Sequence, residues 1–283
     1  MKPYFCGWYF KCQSPQQTLA VIPSIHRTPE GTRCWLQLIT RQGAWHVPLP
    51  AESFRWADHP LDITAGGNHF SSTGLSLAVE QPDCQAHGSL SFGPLTSLRY
   101  DIMGPFRYVP GLECRHSVVS MRHTVTGCLQ INGQDFCFDA SPGYIEGDRG
   151  SSFPSAYVWS QCFWPGGSLM LSVARVPVGP AAFTGVIAVV RTPDREYRMA
   201  SYLGARAVQT EQGKVVIRQG ATELTARLLE QPAHSLLAPD QGAMRRRIRE
   251  SVCCRAAYQL TRHGRTELAF TNDCASFEYE YPR

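Results

Sequence analysis

The feature that most constrains this chain is a two-residue alternation of apolar and polar side chains that restarts after each of a series of turn signals. Those signals stand at Pro29 to Gly31, Gln42-Gly43, Gly66-Gly67, Asn132-Gly133, Pro193-Asp194, Gln212-Gly213 and His263-Gly264. Alternation broken by turns at short intervals predicts antiparallel strands. Apolar stripes at helical period stay short, so helices should be few. The chain reads as all-β and antiparallel.

The clearest unit is GCLQINGQDFCF, residues 127 to 138, because Asn132-Gly133 can supply the two positive φ angles of a type I′ turn. Register follows by counting: Leu129, Ile131, Phe136 and Phe138 share a core face, and Cys128 faces Cys137 with Cα atoms about 4.5 Å apart. No internal repeat or flexible linker is visible. Residues 141–150, rich in glycine and charge, read as a segment crossing between two halves, 1–140 and 141–283.

Composition narrows the function. Charged residues are 18% of the 283 and aromatics 11%, so surface is given up to something apolar. Net charge is only +4, and Lys2, Lys11 and Lys214 are the only lysines, which argues against a nucleic-acid partner. The run MRRRIR from Met244 to Arg249 reads as the wet side of a strand: Arg245, Arg247, Arg249, Ser251, Cys253 and Arg255 share one face. The first residues lack the pattern of an export signal, and the longest near-apolar run, Ala181 to Val190, is about half of a membrane span. A cytoplasmic protein with no transmembrane segment is expected, peripheral membrane contact staying compatible. Eleven cysteines without a CxxC pair read as reduced, mostly buried small hydrophobes, and that compartment disfavours a bond between Cys128 and Cys137.

GxSxG, Walker, GxGxxG and HExxH motifs are absent. His116 and His123, seven apart in a strand-like run, fall on opposite faces and should not share a metal. No metal and no cofactor are expected. In RIRESVCCRAAYQL, Glu250 sits within the face bearing Ile248, Val252, Cys254, Ala256, Tyr258 and Leu260; it must be buried there, paired or acting as an acid. In YFCGWYFKC, Trp8 shares an apolar face with Tyr4, Cys6, Phe10 and Cys12.

Four ordered blocks, GWYFK (7–11), GPFRYVPGLECRH (104–116), YIEGDRGSSFP (144–154) and WSQC (159–162), resemble the tocopherol cyclase family. The resemblance implies two lipocalin-like halves and a cofactor-independent ring closure of a prenylated hydroquinone or related isoprenoid. Protonation of the prenyl alkene would give a tertiary cation that the phenol oxygen captures. On that basis Glu146 and Asp148, with Glu250, are the candidate acids. Trp8, Tyr9, Phe106, Glu113, His116, Tyr144, Arg149, Phe153, Trp159 and Gln161 are the candidate substrate-binding residues. The chain departs from the family where Asp148-Arg149-Gly150 stands in place of Asn-Trp-Gly. A non-catalytic carrier of a hydrophobic small molecule is the competing reading. Glu146 is expected at the wall of the largest apolar cavity with Trp159 or Trp8 beside it; pairing with Arg149 would instead make it a structural carboxylate.

Overall fold

The computed structural model describes residues 2–178, 181–230 and 234–281. Strands fill most of it, and no α-helix occurs among the described residues. In chain order they are β1 (Tyr4–Gln13), β2 (Thr18–Thr28), β3 (Gly31–Thr40), β4 (Ala44–Leu49), β5 (Arg55–Asp58), β6 (Leu61–Ala65), β7 (Asn68–Ser71), β8 (Gly74–Gln81), β9 (Cys84–Phe92), β10 (Cys114–Ile131) and β11 (Gln134–Gly150). There follow β12 (Tyr157–Trp164), β13 (Gly167–Val178), β14 (Ala181–Arg191), β15 (Glu196–Ala200), β16 (Arg206–Glu211), β17 (Lys214–Gln219), β18 (Thr222–Leu228), β19 (His234–Asp240), β20 (Ala243–Arg262) and β21 (Arg265–Tyr279). All seven turn signals fall between paired strands.

The chain divides into two compact units. The first comprises Met1–Arg99, His116–Ser152 and Pro239–Arg245; the second comprises Tyr100–Arg115, Phe153–Ala238 and Arg246–Arg283. In the first unit an 11-stranded sheet runs in the order β4-β3-β2-β1-β11-β10-β9-β8-β7-β6-β5. Its two edges, β4 and β5, are joined by residues 50–54 alone. Laid flat, eleven strands would put those edges about 48 Å apart, and five residues reach at most about 18 Å, so the sheet must roll up. It rolls around a core that includes Trp8, Phe10, Leu36, Ile63, Phe70 and Phe136.

The second unit repeats the plan with a 10-stranded sheet, β15-β14-β13-β12-β21-β20-β18-β17-β16, with β19 also on β20. Here β14 lies against β16 and β15 against β17, around Val158, Leu171, Val173, Ile217, Leu224 and Phe277. In both units the first strand pairs with the last, β1 with β11 and β12 with β21, and the last pairs with the one before it. This duplication is invisible in the sequence because only strand order and register are shared, not side chains.

The 127–138 hairpin turns as expected, with Asn132 at φ 49° and Gly133 at φ 80°. Leu129, Ile131, Phe136 and Phe138 are all buried in the first core. Cys128 and Cys137 face one another with Cα atoms 4.1 Å apart, but they are joined as a disulfide, as are Cys253 and Cys274 at 4.0 Å. The reduced pairing expected from the compartment is therefore corrected by geometry: directly opposed, non-hydrogen-bonded strand positions bring two sulfurs together without backbone movement. The other seven cysteines remain thiols, six of them buried. Thiol titration of the denatured, unreduced protein is expected to count seven, rising to eleven after reduction. A count of eleven before reduction would overturn both bridges.

Residues 141–150 do not cross between units; they are the second half of β11 and pair with β1 along its length. Their glycines serve close packing. At Gly143 an added Cβ would meet the His123 ring at 2.4 Å, and at Gly147 the Trp8 ring at 3.0 Å. Among the described residues no helix is long and apolar enough to cross a membrane, which leaves strand-built spans unaddressed.

Candidate functional site

Strand alternation decides which candidates can meet. Tyr9 pairs with Glu146, Lys11 with Tyr144 and Gly7 with Asp148, and antiparallel partners project to one side of the sheet. This face is opposite to the one carrying Trp8, Phe10 and Ile145 into the first core. Its side chains are nevertheless buried: Lys11 and Tyr144 are 0% exposed, and Tyr9 and Glu146 are under a tenth exposed.

From β10, His116 completes the cluster. Its Nδ1 lies 3.0 Å from Asp148 Oδ1 and its Nε2 lies 3.2 Å from Glu146 Oε2. The Tyr144 hydroxyl donates to the same Glu146 oxygen at 2.5 Å. Burial alone would make His116 harder to protonate, but Asp148 and then Glu146 outweigh it and hold the imidazole well above its usual range. The imidazole thus favours its protonated form, set between Glu146 and Asp148. Burial, then the Glu146 charge, likewise pushes the Tyr144 hydroxyl well above the usual tyrosine range.

His116, Glu146 and Asp148 could each offer a ligand atom to a metal, within 4.8 Å of one another. Carboxylates at 3.0 and 3.2 Å favour the protonated ring, which has no lone pair to give, so the arrangement suits a proton network better than a coordination site. His123, as expected, is elsewhere: its Nδ1 is 3.1 Å from the Ser120 hydroxyl and its ring packs on Phe92.

Two candidates adjacent to the cluster in sequence point away from it. Trp8 enters the first core, where it packs against Phe54 and Trp56. Arg149 shares that side, pairing with Asp58 at 2.9 Å and not with Glu146. The condition that would have made Glu146 a mere partner of Arg149 is not met. Glu146 does not line the polar cavity of about 250 Å³ in the second unit, whose walls include Arg195, Glu196, Tyr197 and Arg198.

The remaining candidates belong to the second unit. Phe106 packs edge-on to Tyr202 and Phe153 edge-on to Tyr157. Glu113 is half-buried; burial raises its carboxyl and Arg246 opposes the shift. Trp159, Gln161 and Glu250 share a second buried polar face. Trp159 pairs with Glu278, Gln161 with Ser276, and Glu250 with Glu278 from the other side. The Tyr157 hydroxyl donates to Glu278, and burial, then that carboxylate, pushes it well above its usual range.

Glu250 is buried, 2% exposed, as alternation required, but not on the face expected. A bulge between Ser251 and Cys254 inserts a residue and flips the phase of β20. Ser251 pairs with Phe277 of the second core, so Glu250 turns away from it, while Cys254, Ala256, Tyr258 and Leu260 line that core. The same flip buries Ser251, which the sequence assigned to the wet face; Arg245, Arg247, Arg249 and Arg255 are exposed as expected. Sequence reasoning missed Lys11, Tyr157 and Glu278. Lys11 was within reach, since it follows Tyr9 by two in GWYFK and must share its side.

Neither the family sequence models nor the curated protein sequences compared with the chain match it. Solved structures do. CghA in complex with Sch210972 superposes with a TM-score of 0.61 at 9% identity, covering 98% of this chain and 88% of that one. Kievitone hydratase from Nectria haematococca gives 0.55 at 11%, covering 97% and 88%. A putative AttH from Nitrosomonas europaea gives 0.54 at 12%, covering 100% and 93%. The chain shares their fold over nearly its whole length. Identities this low carry the fold alone.

Proposed function

We propose that this chain is an acid–base catalyst that adds an O–H bond across an alkene of a prenylated hydroquinone or related isoprenoid, as in the tocopherol cyclase family, without a cofactor. The observation that carries this reading is the His116–Glu146–Asp148 array, with Glu146 buried at its centre and His116 and Asp148 partly so. It holds a proton in a water-poor place, between a carboxylate that can pass it on and one that fixes the ring. His116 is the proton reserve, and Glu146, touching both His116 and Tyr144, is the relay. The proton reaches the less substituted alkene carbon, the π pair forms the C–H bond, and the tertiary cation is captured by the phenol oxygen. The phenol proton returns to Glu146 and His116. The solved neighbours include a protein named a hydratase, and hydration is the same addition with water as the nucleophile.

A carrier role has one observation in its favour: each nitrogen of His116 lies within ion-pair distance of a carboxylate, as a structural brace would require. Incubation with geranyl hydroquinone separates the two. The catalyst gives a product of unchanged mass and altered retention, and Glu146→Gln lowers turnover about 100-fold or more with little loss of affinity. Turnover is expected to fall as pH rises through the raised pKa of His116, where the reserve proton leaves. Recovery of the hydroquinone unaltered, or full activity in the Gln variant, would defeat the proposal.

A further inference from the structure

The side-chain rows that line the second core do not stay apolar to the ends of their strands. Gln219 of β17 pairs with Thr222 of β18, and Thr222 pairs with Arg262 of β20, so the three stand on one rung and project to one side. That side is the inward one. Each residue extends a core row by one step of the alternation: Ile217 leads to Gln219, Leu224 to Thr222 and Leu260 to Arg262. From the opposite edge of the sheet, β15 sends Met199 into the same core and packs Tyr197 against it. The polar cavity of about 250 Å³ lies among these residues, with Arg195 also on its wall. It forms the mouth of the second unit's rolled sheet.

The charges of this mouth are not balanced. Glu196 and Arg198 border the cavity, yet each is spent: Arg198 holds Glu196 at 3.1 Å, the Tyr202 hydroxyl at 3.1 Å and the Tyr100 and Asp101 carbonyls at 2.8 and 3.0 Å. The other Glu196 oxygen lies 3.5 Å from Arg191. Gln219 is fixed as well, its Oε1 accepting from the Ala200 N–H and its Nε2 donating to the Arg198 carbonyl, so the walls are preorganised. Arg195 and Arg262 differ. The Arg195 guanidinium rests over the Tyr197 ring, 5.5 Å from its centre, and neither arginine has an ion-pair partner among the described residues. Arg265 stands directly opposite Arg262 on β21, a like-charge pairing that costs the sheet free energy unless an anion meets it. Glu267, which accepts from the Tyr197 hydroxyl at 3.3 Å, is not on the cavity wall. We infer that this mouth binds a small molecule bearing a doubly charged oxyanion, a phosphate or a dicarboxylate, through Arg195, Arg262 and the Thr222 hydroxyl. Guanidinium forks match both oxyanions in shape and charge. The site lies wholly within the second unit and is independent of the His116 array.

The test titrates the full chain calorimetrically with inorganic phosphate and, separately, with succinate, at low and matched ionic strength so that screening is equal. A single saturable site is expected, and the tighter probe names the oxyanion as phosphate or carboxylate. Arg195→Gln and Arg262→Gln should each weaken binding about tenfold, because each removes one charge-assisted contact. Arg227→Gln removes an exposed charge from the other side of β18, next to Ala226 of the core. It should leave the affinity within about twofold, whereas general attraction to a positive surface would respond to all three alike. The three side chains are exposed, so each variant keeps the fold, and an unchanged melting temperature checks this. Either site variant decides alone if the other does not fold. No saturable binding of either probe at millimolar concentration would overturn the site. Undiminished affinity in Arg195→Gln and Arg262→Gln, or an equal loss in Arg227→Gln, would overturn it too.

Discussion

Alanine at Gly127 or Gly88 is expected to destabilise the first unit by about 3 to 5 kcal/mol, the sum of a strained backbone and an overpacked contact. Gly127 sits at φ +125° on β10 and Gly88 at φ +117° on β9, conformations that L side chains rarely adopt. They stand two rungs apart on either side of the Cys128–Ser89 pair, Gly127 opposite Leu90 and Gly88 opposite Leu129. An added Cβ at Gly127 would lie 2.5 Å from the Ser89 carbonyl oxygen, and at Gly88 2.5 Å from that of Cys128. Both obstructing atoms are backbone in the middle of a paired sheet, so neither can turn aside. Chemical denaturation of each variant measures the loss. A loss below about 1 kcal/mol would mean that the two strands do not approach as closely as described.

The second large effect is an acid transition set by two other histidines. His26 and His123 are buried in the first unit, and burial lowers both to about 4, a backbone hydrogen bond at Gly242 partly opposing this for His26. Unfolded, each would titrate near 6.5. The folded state therefore binds fewer protons between those values, so stability present above about pH 6.5 is lost as pH falls toward 4, by about 3 kcal/mol for each histidine. His116 acts in the opposite sense: its stabilisation is complete below the ordinary histidine pKa and is lost as pH rises through its raised value. The expected profile of unfolding free energy rolls off on the acid side, and His123→Gln should flatten that slope by roughly half. An acid limb unaffected by removing both His26 and His123 would sink the assignment.

The 127–138 hairpin was legible because its turn is a local, two-residue property and its faces follow by counting. The partners of the candidate site were less so, because motif blocks gather neighbours in sequence, whereas a strand sends neighbours apart. Trp8 and Tyr9 stand in one block yet face opposite sides of β1, and Arg149 parts from Asp148 in the same way. Glu250 was legible as buried but not as to side, because a bulge is a backbone event that no single residue type announces. The Cys128–Cys137 disulfide was hidden because the expected compartment outweighed a register that already opposed the two, whereas Cys253–Cys274 lies at the β20 bulge and had no local signal. Gln161 entered the list through resemblance alone; its unmet amide shows only once the neighbours' own bonds are known.

The pairing of each unit's first strand with its last bears on how the chain is made. On a ribosome β1 is soon followed by β2 at one edge, but its other edge must wait for β11, some 130 residues later. Until then an apolar strand with an open row of amides and carbonyls is exposed beside a growing polypeptide. β12 waits in the same way for β21. Nascent chains of this protein therefore pass through two long intervals in which strand edges lack their partners. In those intervals the unpaired edge is open to aggregation, and the long separation of paired strands predicts slow folding.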